Sequence, residues 1–145
     1  MDTSKSLWGK LPLEEAIRTP LIILREQATL LTQMTNAILE GVVTNQMAKP
    51  SSPIAFDPFG LNKSFRATLT IEAPALDGYV FQVLEVGYNL ALYPVEVRDL
   101  VNNQTRDCEN EEPFVEAVGS ILSSDAVRRA VGMLLAQSKS EQIAA

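Results

Sequence analysis

Apolar positions in the first third of the chain recur at helical spacing. Ile17, Leu24, Leu31 and Ile38 are seven apart, Leu21, Ala28 and Thr35 lie on the adjoining strip, and Met34 follows Leu31 by three. Arg25, Gln27, Thr32, Gln33, Asn36 and Glu40 fall largely outside this stripe, as on a helix with one covered face. Thr19-Pro20 marks its start, because a threonine hydroxyl accepts from an orphan amide and proline is pre-set for a first turn. Gly41 is placed to end it in the left-handed conformation. The pattern therefore predicts a helix over about 20–40. A separate short turn is expected over 14–18, since Pro20 inside a continuous helix would break it. A second seven-residue series, Ile23, Leu30 and Ala37, runs beside the first and asks for cover of its own.

The middle of the chain changes period. Residues 42–47 have strand-like composition, and 49–63 carry Pro50, Pro53, Pro58 and Gly60, which excludes regular structure. That Pro-rich loop also holds Ile54, Phe56, Phe59 and Leu61, so it is expected to be pinned against the body. Phe65, Ala67, Leu69 and Ile71 alternate with Arg66, Thr68, Thr70 and Glu72, which predicts a strand with one buried and one wet face. Leu76-Asp77-Gly78 supplies a turn. Residues 79–86 are apolar at both parities, which predicts a central strand covered on both faces. A further strand is expected over 90–97, with an edge or a bulge at Pro94, which has no amide for a ladder. Asn102-Asn103 then turns the chain into a short strand at 104–108.

Helical spacing returns at Pro113, with Phe114, Val115, Val118, Ile121 and Leu122 on one side. Ser123-Ser124-Asp125 stops that helix and starts another over 124–138, with Val127, Val131, Leu134 and Leu135 inward. The fold class read from this order is α+β. It is an antiparallel meander of four or five short strands, with a long N-terminal helix and two C-terminal helices packed on it. Residues 1–145 read as a single domain, with 1–11 a loose leader and 140–145 a frayed tail.

Composition narrows the chemistry. The 145 residues contain 18 acids, 12 bases, one cysteine and no histidine, for a formal charge of −6. Without histidine there is no Ser-His-Asp or Cys-His machinery and no imidazole metal ligand. A single cysteine makes neither an internal disulfide nor a multi-thiolate zinc site. The net charge disfavours a phosphate backbone as partner, so no nucleic acid is expected. No run approaches the ~20 apolar residues that span a bilayer, and the N-terminus lacks a signal-peptide pattern. The expectation is a cytoplasmic, soluble protein away from the membrane.

Candidate chemistry is sparse. Asp107, Glu109, Glu111, Glu112 and Glu116 cluster within ten residues, which suits a hard cation, but the spacing lacks a calcium loop's glycine and terminal glutamate. Acids before a helix start serve the helix dipole equally well. Glu85 is the one carboxylate in its apolar strand. It is a general-acid candidate if desolvated, and a structural residue if paired with Arg66 or Arg98. Glu72, near a strand end, reads the same way. Cys108 lies between Asp107 and Glu109, whose charge disfavours the thiolate. Arg128-Arg129 reads as a solvated helix face, and Tyr79, Phe81 and Tyr88 as core. No residue is assigned as catalytic, cofactor-binding or metal-ligating, and no cofactor is expected. The reading is a non-enzymatic protein-interaction module: an adaptor, an antitoxin- or immunity-like protein or an assembly subunit, with a protein partner and a possible homodimer. The alternative is a small-molecule binding protein with a pocket between sheet and long helix, lined by Leu24, Leu31, Phe81, Leu84 and Tyr93.

Overall fold

The structure, a computed structural model, describes residues 5–12, 17–47 and 65–144. Helix α1 (Pro20–Met34) is followed by strands β1 (Glu40–Met47), β2 (Phe65–Ala73), β3 (Tyr79–Tyr88), β4 (Val95–Asp99) and β5 (Gln104–Cys108). Helices α2 (Glu111–Leu122) and α3 (Asp125–Ala144) close the chain. The strands form one antiparallel sheet in the order β1-β2-β3-β4-β5, so each pairs with its neighbour in sequence. This is the α+β meander read from the chain. The Pro-rich loop 49–63 lies outside the described residues.

Helix α1 begins as its sequence dictates. Thr19 Oγ1 accepts the Ile22 amide at 3.1 Å, and Pro20 opens the first turn. It ends six residues earlier than the apolar period suggests. The Ala37 amide reaches back to the Thr32 carbonyl at 2.8 Å and the Asn36 amide to Gln33 at 3.1 Å, while Asn36 sits at φ 52° and Ala37 at φ 63°. This is a Schellman closure with asparagine in the left-handed position. Gly41 is not the cap. It lies in β1, where a Cβ would collide with the Ala28 backbone, so its job is to let helix and strand approach. Thr32 Oγ1 accepts the Gly41 amide at 2.9 Å, and buried Thr35 Oγ1 accepts the Leu39 amide at 3.2 Å. The first hydroxyl ties α1 to β1, and the second closes the turn between them.

The sheet has one covered face and one open face. Ala67, Leu69, Ile71 and Ala73 of β2 point into a core shared with Leu24 and Ala28 of α1, Phe114, Ala117 and Val118 of α2, and Val127 and Leu134 of α3. Strand β3 corrects the two-faced reading. Leu69 faces Leu84 but Thr70 faces Gln82, so Val83 is an extra residue, a bulge, in β3. The bulge changes phase: Phe81 before it and Leu84, Val86 and Tyr88 after it lie on the same covered face. The run is apolar at both parities because the strand slips, not because both faces are covered. Val80, on the open face, is 48% exposed.

Other boundaries move for local reasons. Strand β4 starts after Pro94, not at 90, because residues 89–92 form a turn: Asn89 Oδ1 accepts the Ala91 amide and Leu92 takes φ 75°. Asn103 at φ 56° makes the expected turn into β5. In α2, Ala117 takes the inward place expected of Val115, which is 43% exposed. Ser124 Oγ accepts the Val127 amide at 3.4 Å to start α3, which continues past 138 to Ala144.

Candidate functional site

The sheet brings Glu85 together with both of its candidate arginine partners. Directly opposite Glu85 in the register is Arg98 of β4, and Arg66 of β2 lies diagonally across. Their guanidinium nitrogens are 3.7 Å (Arg66) and 3.8 Å (Arg98) from Glu85 Oε1, and Arg98 also reaches Glu96 at 3.6 Å. Glu85 is thus held between two cations, the structural alternative of the two readings. Glu72 faces Glu40 across the β1–β2 pair, two like charges at the sheet's end.

The acidic segment disperses. Asp107 ends in β5, while Glu109, Glu111, Glu112 and Glu116 all stand exposed around the start of α2. Glu111 and Glu112 occupy the first helical turn, where negative charge complements the dipole. Among the described residues no three metal-competent side chains converge. Glu111 instead lies 4.0 Å from Arg18, whose other nitrogen is 2.6 Å from Glu26, so one arginine clamps the starts of α1 and α2.

Beneath that clamp lie Cys108 and Tyr93. Cys108 is fully buried, and burial pushes its thiol above the usual range. Arg106 partly offsets this, and Asp107 and Glu109 add to it. Its place is that of a small core residue, not a nucleophile. Tyr93 meets Phe114 edge-on at 6.5 Å between centroids. Its phenol is pushed up by burial first, then by Glu111 and Cys108, against a smaller pull from Arg18. The Tyr93 hydroxyl has no hydrogen-bond partner among the described residues, nor has that of Ser138, fully buried on α3. Of the other aromatic residues, Tyr88 is buried and stacks on Phe65 at 5.4 Å, whereas Tyr79 is 55% exposed at the strand's far end. Arg128 and Arg129 are exposed on α3.

Two of the depressions among the described residues lie on the covered side of the sheet. One, about 540 Å³, lies between the β4–β5 hairpin and the end of α2, and combines Asp99, Gln104, Arg106, Ser120 and Ser124 over Val97 and Ala117. Its only carboxylate is already committed. Asp99 Oδ1 accepts the Val101 and Asn102 amides at 3.0 Å, and Oδ2 accepts the Asn102 side-chain amide at 2.8 Å, which fixes the turn. The other, about 220 Å³, is apolar and lies where α1, the sheet and the α2–α3 pair meet. Leu69, Ile71 and Val83 line it from the sheet, Leu122, Val127 and Val131 from the C-terminal helices, and Ala28, Leu31, Leu30 and Met34 from α1. Gln27 brings the one amide side chain. Leu30 is 45% exposed and Met34 80%, so apolar surface continues out of the cavity onto the helix.

This cavity is not the one the chain predicts. Of Leu24, Leu31, Phe81, Leu84 and Tyr93, only Leu31 lines it; Leu24 and Leu84 are fully buried in the core. Leu24 fills the helix–sheet seam, and the space opens one turn later, where α3 fails to close against α1. Val131 reads from the sequence only as an inward residue of its helix, and the sequence gives Gln27 and Arg18 no role, because their places depend on how α2 and α3 return across the sheet. No helix among the described residues is long and apolar enough to cross a membrane. Comparison of the chain with protein-family models, with curated proteins and with solved structures finds no match.

Proposed function

We propose that this chain is a non-enzymatic protein-interaction module, cytoplasmic, and an adaptor, antitoxin- or immunity-like protein or assembly subunit. Its partner inserts an apolar side chain into the cavity between α1 and the α2–α3 pair. The observation that carries this is the continuity of the cavity with exposed Leu30 and Met34. A site meant to enclose a small molecule closes over it, whereas a docking site leaves apolar surface outside the pocket for the rest of the partner. Volume points the same way. At about 220 Å³ the cavity falls below the ~300–1,000 Å³ of drug-sized ligand sites and suits one anchoring side chain. A methionine at the rim adapts to an incoming surface at little cost.

The second reading, a small apolar ligand, rests on the rigid floor of Leu69, Ile71 and Val83 and the single amide of Gln27. One experiment separates the two. A photo-crosslinking residue at position 34 is used in lysate of the source cell, beside methyl NMR of Leu31, Leu69 and Val83 during titration with single-ring apolar compounds. A protein adduct at position 34 that disappears with Val131→Phe, which fills the cavity, supports docking. Micromolar methyl shifts with a small compound and no adduct reject docking and support the ligand reading.

A further inference from the structure

The two edges of the sheet are managed differently. Strand β5 is five residues long and carries Arg106 and Asp107, the charged, abbreviated edge that discourages further pairing. Strand β1 is eight residues long, and from Gly41 to Met47 it has no charge, no proline and no lysine. It pairs with β2 without a bulge, and on its outer side no described residue pairs with it. Val42 and Val43 are half-exposed and Met47 is 73% exposed. A long, flat, neutral edge of this kind is a template for another strand.

We propose that β1 pairs antiparallel with β1 of a second copy, across a two-fold axis at Thr44, to make one continuous ten-stranded sheet. This is independent of the cavity reading above. The strand itself says which partner fits. Each copy carries −6, so two copies repel except where their surfaces are neutral, and β1 supplies seven successive neutral residues at the sheet's edge. A basic peptide would find only Glu40 to recognise. With the axis at Thr44, the opposing pairs are Thr44 with Thr44, Val42 with Gln46, and Val43 with Asn45, none of them charged. Opposed threonines are among the favourable cross-strand pairs. An axis on a residue, rather than between two, keeps like faces together. Both helical layers then lie on one side, and both arginine–glutamate networks on the other.

The test reads mass by light scattering on the native chain and on Thr44→Lys and Thr44→Glu, each checked for unchanged far-UV circular dichroism. Thr44 is exposed, and either charge is tolerated in one copy but meets itself at the axis. Edge pairing alone buries less than a standard interface, so the native mass is expected to be about 32 kDa, twice the 15.9 kDa chain, at roughly 200 µM and to fall on dilution. Each variant alone is expected at about 16 kDa, and their equimolar mixture near 32 kDa. A native mass of 16 kDa throughout overturns the proposal. So does a 32 kDa mass in either variant, or a mixture that stays monomeric. Amide exchange of native β1 is a second check that needs no variant. The alternate amides facing away from β2 gain at least tenfold protection as the chain dimerises. Protection of those amides in a monomer would mean that the edge is covered from within the chain, and would also overturn the proposal.

Discussion

At the scale of single residues, two leucines one heptad apart behave differently. Leu24 is fully enclosed between helix and sheet, whereas Leu31 lines the cavity. Truncation costs the transfer of the lost atoms plus the hole left behind, and Leu31 already borders open space. Leu24→Ala should therefore cost about 2–5 kcal/mol in a urea titration and Leu31→Ala about 1 kcal/mol. Equal losses would mean that the cavity closes in solution. Cys108 gives a second expectation at this scale. Its thiol is raised by burial, so between its unfolded and folded values the native state holds the proton that the unfolded chain has lost. The associated stability is complete below the ordinary thiol pKa of about 8.5 and is lost as pH rises through the raised one. Chemical denaturation at stepped pH from about 8 upward should show this decline, with a shallower slope in Cys108→Ala. Tyr93 and Tyr88, also raised, extend the loss in the same direction at higher pH.

At the scale of elements, the chain's periods give existence and type, and local chemistry moves the boundaries. The spacing of Ile17, Leu24, Leu31 and Ile38 runs across the end of α1 because Ile38 and Leu39 are also covered, but from the turn rather than from a helix. Periodicity reports burial, and burial outlasts the helix here. The stop was written in Asn36, a residue that tolerates positive φ, and not in Gly41. Gly41 has a different purpose, and Gly41→Ala tests it. The added methyl meets the Ala28 backbone, which cannot rotate away, so about 1–3 kcal/mol should be lost. A neutral result by thermal or urea unfolding would show that α1 rides higher over β1. The bulge at Val83 was illegible for a related reason. A phase slip and a two-sided strand leave the same apolar run, and only the partner strand's register distinguishes them.

At the scale of the whole molecule, the fold class followed from the order of periods, helix, strands, helices, because each element buries one face against the others. The candidate site did not follow. Its walls come from residues about a hundred positions apart, such as Leu30 and Val131, and no local pattern encodes a gap between returning helices. The meander has a further consequence, for the order of assembly. Each strand pairs with the one made just before it, so the sheet can zip progressively with short loops to close once β1 and β2 have met. Helix α3 is different: it packs against the Pro74–Leu76 turn, fifty residues upstream, and joins only when the hairpin carrying that turn exists. Leu134→Ala, at the α3 end of the core, should then speed unfolding in stopped-flow measurements and leave the folding rate nearly unchanged. A folding chain would carry a finished sheet with an uncovered end until the twenty residues of α3 dock, and it is in that interval that β1's neutral edge would first meet a neighbour's.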